Sequence, residues 1–269
     1  MKNKSNFIRK GSNQMTQRRA IIKGILGCSF GFSNIEIAKA DTSNQFIGGR
    51  GTPTIVLIHG LGADINQSFS RIFRQITGIS RACAFNRQGY NSRYDNAPRN
   101  GETVARELRR KLSENNLHPP YIIIGHSLGG LYAQYFARLF ASETQGLVLI
   151  DPTIVGQEEF LEQNYPDEYG TLNLIKLLWP KVQKQEFKSS QNNQNTLEQF
   201  APFHGSGKIL VASRISGLAN QDAYFNFRYE HLQQLAKQNA FGIELVSSGH
   251  FIQNERPETV IRAIQEVMN

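Results

Sequence analysis

Cysteine is almost missing from this chain, with Cys28 and Cys83 the two in 269 residues. A disulfide-stapled scaffold is therefore excluded. Metal-ligand spacing is absent too, which removes zinc-ribbon and carboxylate-cage readings. No apolar run approaches the roughly 20 residues that a membrane-spanning helix needs. No internal repeat is evident, so solenoids and propellers drop out. A broad excess of positive charge is lacking as well, although the net charge is +8. Eight of the basic residues (Lys2, Lys4, Arg9, Lys10, Arg18, Arg19, Lys23 and Lys39) fall in residues 1–40 against Glu36 alone, a net of +7 that leaves +1 elsewhere. The basicity is thus terminal and gives no reason to expect nucleic acid or anionic lipid as a partner.

What those forty residues do contain is a targeting pattern. Thr16-Gln-Arg18-Arg19-Ala-Ile-Ile-Lys23 precedes a modest apolar stretch, Gly24-Ile-Leu-Gly-Cys-Ser-Phe-Gly-Phe, and then Ala38-Lys39-Ala40. A basic region, an apolar region and a small-X-small site make a secretory signal. The paired arginines resemble a twin-arginine export signal, departing from it at Gln17, Ile21 and Glu36. The expectation is cleavage after Ala40 and a periplasmic or extracellular protein; a disordered basic tail is the plainer alternative. Ile25-Leu-Gly-Cys28 looks like a lipobox, but its apolar run is short, so lipidation is not expected.

From Gly51 onward, short apolar runs alternate with helical patterns. Strands are expected at Thr54–Ile58, Ala82–Phe85, Tyr121–Ile124, Gly146–Ile150, Lys208–Ala212 and Ile243–Val246. They show little polar alternation, as strands buried on both faces should. Helices are expected near 66–77, 102–116, 128–142, 226–239 and 257–268. The fold class is therefore α/β, a mostly parallel, doubly wound sheet in one domain over 41–269. Thr153 to Gly205 carries no strand between two strands, so it reads as an insertion with its own helices, about 153–205. Its position beside the carboxyl ends of the strands suits a lid; a surface excursion is the plainer reading.

The most informative run is Tyr121-Ile-Ile-Ile-Gly125-His126-Ser127-Leu128-Gly129-Gly130. A β-branched strand ends at Gly-X-Ser-X-Gly and an amphipathic stretch follows at once, the context of a nucleophile elbow. The turn would push the Ser127 hydroxyl above the sheet and leave N–H groups of the first helical turn free for an oxyanion. A serine needs a base, an orienting acid and an oxyanion hole. His250, in Ser247-Ser-Gly-His250 after the last strand, is the candidate base. His59, His118, His126, His204 and His231 have weaker contexts. The candidate oxyanion donors are the N–H groups of Leu128 and of Leu61, in His59-Gly60-Leu61-Gly62. The acid is Asp151, at the end of Gly146–Ile150, or the alternative Asp222, in a polar loop where it serves equally as a helix N-cap. Cys83 reads as a small buried residue.

Ile58-His59-Gly60, Asn86-Arg-Gln-Gly89-Tyr-Asn-Ser92, Gly125-His-Ser-Leu-Gly-Gly130, Leu149-Ile-Asp-Pro152 and Gly249-His250 together resemble the α/β-hydrolase superfamily, over roughly residues 46–269. That resemblance implies a Ser–His–acid triad on an eight-stranded, mostly parallel sheet with a helical lid. Three departures stand out. Asn86 replaces an aspartate often found ahead of Arg-X-Gly, which would loosen that loop. The region before Thr54 is too short for a full leading hairpin, so six or seven strands are expected. Ser213-Arg-Ile-Ser-Gly217 lacks the usual aspartate, which is why the acid falls to Asp151 or Asp222.

The expected activity is cofactor-free hydrolysis of a small-molecule carboxylic ester through an acyl-enzyme on Ser127; amide, thioester and lactone cleavage use the same groups. The competing expectation is a non-catalytic binding protein on a hydrolase scaffold. Epoxide or haloalkane chemistry would want an aspartate in place of Ser127. Phe160, Leu174, Leu177, Leu178 and Trp179 suggest an apolar lid underside and an apolar acyl group, or simply packing of the insertion. Oligomeric state is not readable.

Overall fold

The computed structural model describes residues 44–269, apart from 216, 219 and 220. The export-signal expectations, from Arg18 and Arg19 to Cys28 and Ala40, lie outside the described residues. The elements run β1 (Gln45–Gly48), β2 (Thr54–Ile58), α1 (Ile65–Thr77), β3 (Ala82–Phe85), α2 (Gly101–Glu114), β4 (Tyr121–His126), α3 (Leu128–Leu139) and β5 (Thr144–Ile150). Then follow α4 (Gln157–Asn164), α5 (Pro166–Lys176), α6 (Lys181–Leu197), β6 (Ser206–Ala212), α7 (Gln221–Asn239), β7 (Gly242–Val246), α8 (Ile252–Glu255) and α9 (Pro257–Met268).

The seven strands form one sheet in the order β1-β3-β2-β4-β5-β6-β7. Among the described residues only β1 is antiparallel, pairing Gln45 with Phe85 at one edge. Strand order reverses between β2 and β4, where Ile58 pairs with Gly125. A crevice opens at such a switch point beyond the carboxyl ends of the strands. Successive strand residues point to opposite faces, and here both faces are buried. Ile55, Leu57, Ile122, Ile124, Val148 and Ile150 pack under α1 and α9. Val56, Ile58, Ile123, Leu147, Leu149 and Val211 pack under α2, α3 and α7.

Local signals explain the helices on these faces. Asp64 accepts from Gln67 N while the Gln67 side chain returns to the Asp64 backbone, a reciprocal cap that starts α1. Ile65, Phe69, Ile72 and Ile76 then repeat at helical spacing and are fully buried. Asn100 caps α2 through Thr103 N. Pro257 opens α9.

The structure departs from the sequence reading in particular places. α3 stops at Leu139, and a single 3₁₀ turn, Ala141–Glu143, follows. α7 begins at Gln221 rather than near 226. The insertion between β5 and β6 holds three helices, and the polar run 188–195 lies inside the last of them, α6. That helix is polar in composition, yet Val182, Glu186, Ser190 and Leu197 are buried. Their spacing marks one helical face, although half of it is polar. Asn86 is not slack: its Oδ1 accepts from Ile65 N at 3.0 Å at the start of α1.

Phe69→Ala should remove a fully buried ring between α1 and the sheet. We expect a loss of about 3–5 kcal/mol, measured by urea denaturation; a loss near zero would contradict this packing.

Candidate active site

β4 ends at His126 and α3 starts at Leu128, so Ser127 alone makes the turn, with φ 55° and ψ −124°. A positive φ on serine is strained and persists only where surroundings impose it. Here the surroundings are backbone. A Cβ on Gly125 would lie 2.3 Å from Gly129 O, and one on Gly129 would lie 2.2 Å from Ile58 O. No side chain fits at either place. Ser127 N donates to Ile150 O at 3.0 Å, and Ser127 O accepts from Gly130 N at 2.8 Å. The sheet ladder thus continues one residue past the strand and holds the serine against the end of β5.

The same continuation places Asp151, whose N donates to Leu210 O at 2.8 Å. Asp151 Oδ2 lies 2.6 Å from His250 Nδ1. Its Oδ1 accepts from Ala212 N at 3.0 Å and from Arg228 Nη2 at 2.8 Å. Asp151 is buried and has φ 42°. Burial by itself would push its carboxyl up; the Arg228 guanidinium, His250 and the Ala212 N–H more than offset this, so it stays below the usual carboxylate range. Asp222 is elsewhere, exposed on the first turn of α7. The carboxylate brought to His250 is therefore Asp151.

Two site neighbours were not legible beforehand. Arg228 lies on the buried face of α7 with Tyr224, Leu232 and Ala236, each four residues apart. An arginine at such spacing within an apolar stripe was the signal for it. His126 donates from Nε2 to His250 O at 3.0 Å, and the two rings lie 4.6 Å apart. Burial first, and His250 second, push His126 down to about 3. It is therefore neutral and holds the backbone of His250 without competing for its charge.

The β2–α1 loop crosses directly over the serine. A Cβ on Gly60 would come within 3.1 Å of Ser127 Cβ. Leu61 and Leu128 border the same cavity as Ser127, Asp151 and His250. That cavity is about 170 Å³, with apolar walls from Ile154, Val155, Phe187, Ile215 and Tyr224 and with Glu158, Glu159 and Arg214 among its polar lining. An apolar cavity of about 150 Å³ holds one benzene. Burial raises Glu158, with Lys176 opposing the shift from 3.1 Å.

The expected lid underside needs correction. Phe160 stacks on Phe227 at 4.1 Å, and Trp179 packs with Leu172 and Phe187. Leu174, Leu177 and Leu178 face solvent. None of the five borders the cavity: Phe160 and Trp179 are taken up by these packing contacts, and Leu174 in α5 and Leu177 and Leu178 just after it point outward. Among the described residues there is no cluster of metal-ligating side chains and no helix long and apolar enough to cross a membrane.

Comparison with known proteins agrees with this architecture. The chain belongs to the alpha/beta hydrolase family, whose model it matches over residues 55–263. It is 23% identical over 249 residues to a Haemophilus influenzae protein named "Putative esterase/lipase", covering 81% of this chain and 84% of that one. Among solved structures it resembles a hydrolase from Oleispira antarctica (TM-score 0.62, 16% identity, 92% of this chain and 97% of that chain). It also resembles an alpha/beta superfamily hydrolase from Oenococcus oeni (TM-score 0.59, 21% identity, 84% and 96%).

Because the Asp151 carboxyl is held low, its stabilising contribution is present above about pH 4 and is lost as pH falls through the depressed folded value. Arg228→Met removes the chief opposing cation, so the folded value rises and the loss starts nearer neutrality. Melting temperature followed from about pH 7 down to about pH 3 should fall earlier in the variant than in the parent, with about 3–5 kcal/mol lost at neutral pH. Superimposable pH profiles would show that Arg228 does not hold the Asp151 charge.

Proposed function

We propose that this hydrolase cleaves a carboxylic ester with a compact acyl group, through an acyl-enzyme on Ser127. The observation that carries the reading is the convergence of four separate chain segments on one cavity. They are the strained Ser127 turn, the His250–Asp151 pair at 2.6 Å and the Gly60–Leu61 loop.

In this reading Ser127 Oγ attacks the acyl carbon while His250 takes its proton. Asp151, already ionised and bound at Nδ1, stabilises the imidazolium and presents Nε2 to the serine. The N–H groups of Leu128 and Leu61 receive the negative charge on the carbonyl oxygen, each contributing about 10²–10³ in rate. Leu128 is the first residue of α3, and N–H groups in a first helical turn have no partner within the helix. His250 next protonates the leaving alkoxide, then activates water to release the acid. No step calls on a cofactor.

The cavity supports the substrate size. Its walls suit an apolar group about as large as benzene, while the glutamates and Arg214 favour a polar alcohol portion over a second hydrocarbon chain.

Ser127→Ala should abolish p-nitrophenyl ester turnover and labelling by a fluorophosphonate, with folding unchanged. An unaffected rate would refute the assignment. A protein that binds esters without turnover and ignores the probe would instead be a binding protein on this scaffold. Across a series of acyl chains, kcat/KM should peak at short or compact groups and fall steeply for long ones; a rising trend would show that the cavity does not bound the acyl site.

A further inference from the structure

Outside the catalytic cavity, Arg87, in the loop after β3, is a buried group with four side-chain hydrogen bonds. Its Nε and Nη2 grip Glu186 of α6 in a fork, at 2.7 and 2.9 Å. Nη1 donates to His59 O, and Nη2 donates to Gly60 O at 3.0 Å. Glu186 is fully buried; it also accepts from Tyr90 Oη at 2.8 Å and has Arg99 Nε at 3.8 Å. Arg99 has Glu107 as a second partner, at 2.9 Å.

Gly60 O has a second anchor. Arg87 N donates to His59 Nε2 at 3.2 Å, which fixes the tautomer. The proton is then on Nδ1, which reaches Gly60 O at 2.9 Å. Burial and the adjacent Arg87 hold His59 well below its ordinary value, so the ring stays neutral and keeps this assignment. One carbonyl thus receives two N–H groups, one from Arg87 and one from His59.

That carbonyl shares its peptide unit with the Leu61 N–H. A trans peptide is planar, with C=O and N–H pointing in opposite directions. Holding Gly60 O toward Arg87 and His59 therefore turns the Leu61 N–H away from them. Resting on the proposed role of Leu61 as an oxyanion donor, we infer that Arg87, braced by Glu186 of the insertion, is a positioning residue that locks the Gly60–Leu61 peptide in its catalytic orientation. Neither residue borders the cavity. Their effect travels through one peptide plane. The insertion helix α6 becomes a condition for the hole, because without Glu186 the fork on Arg87 has no carboxylate to hold it.

The test pairs kinetics with a probe of the hole. Arg87→Met with Glu186→Leu removes both charges at similar volume, a replacement that buried ion pairs commonly tolerate. Melting temperature monitors folding. The readouts are kcat and KM for a p-nitrophenyl ester and Ki for an aryl trifluoromethyl ketone, whose serine adduct carries an oxyanion. We expect kcat to fall about 10²-fold with KM within about threefold, and Ki to rise by a factor similar to the loss in kcat. A folded double variant that keeps kcat within about threefold, or that loses kcat with Ki unchanged, overturns the inference. If the double variant does not fold, Arg87→Lys decides: one ammonium keeps the buried charge but cannot reproduce the fork. Parallel loss of kcat and ketone affinity supports the lock, and full activity overturns it. The parent protein is assayed alongside. An inactive parent that ignores a fluorophosphonate refutes the serine-hydrolase reading itself and the lock with it. An active parent with active variants refutes the lock alone.

Discussion

Two strand ends and a helix start meet here at distances that only bare backbone can occupy. Ile58 O stands where a Cβ on Gly129 would be, 2.2 Å away, and Gly129 O stands 2.3 Å from where one on Gly125 would be. This close approach ties β2, β4 and α3 into one unit. It leaves Ser127 no conformation but the strained one and brings the Gly60 loop over its Cβ. Removing the approach would separate the serine from the loop proposed to receive the oxyanion. The strain in Ser127 is sustained by the core beneath, where both faces of the sheet are covered by helices.

Charge is arranged around this unit in two buried groups. On one side Asp151 holds His250, and its negative charge is kept by Arg228 and a backbone N–H. On the other, Arg87 and Glu186 grip the loop opposite. Buried ion pairs contribute little to net stability because desolvation offsets their attraction. Their value here is directional. Each binds an atom whose orientation matters: a ring nitrogen in one case and a peptide oxygen in the other.

Much of the frame was legible from residue order. Apolar runs without alternation announced strands covered on both sides, and the glycines around Ser127 announced a turn too tight for side chains. β1 was not among the strand candidates because four residues at an edge, alternately exposed, carry almost no periodic signal. The helical run 188–195 was hidden because its buried face includes Glu186 and Ser190, which read as polar in any window. The apolar residues of the insertion read as a cavity wall, yet Leu174, Leu177 and Leu178 face solvent. Composition cannot say toward what a helix turns its apolar side.

Sequence alone determined the class of fold, the serine turn and the histidine after the last strand, because these depend on local backbone geometry and on strand order. It left the acid open between Asp151 and Asp222, since each follows a strand and both precede His250. Only tertiary structure decided which carboxylate meets the imidazole. The β5–β6 ladder carries Asp151 to the sheet edge, while α7 carries Asp222 into solvent. Contacts between residues far apart in the chain, such as Arg87 with Glu186, leave no local trace. They arise only when packed elements bring side chains together that the chain itself keeps distant.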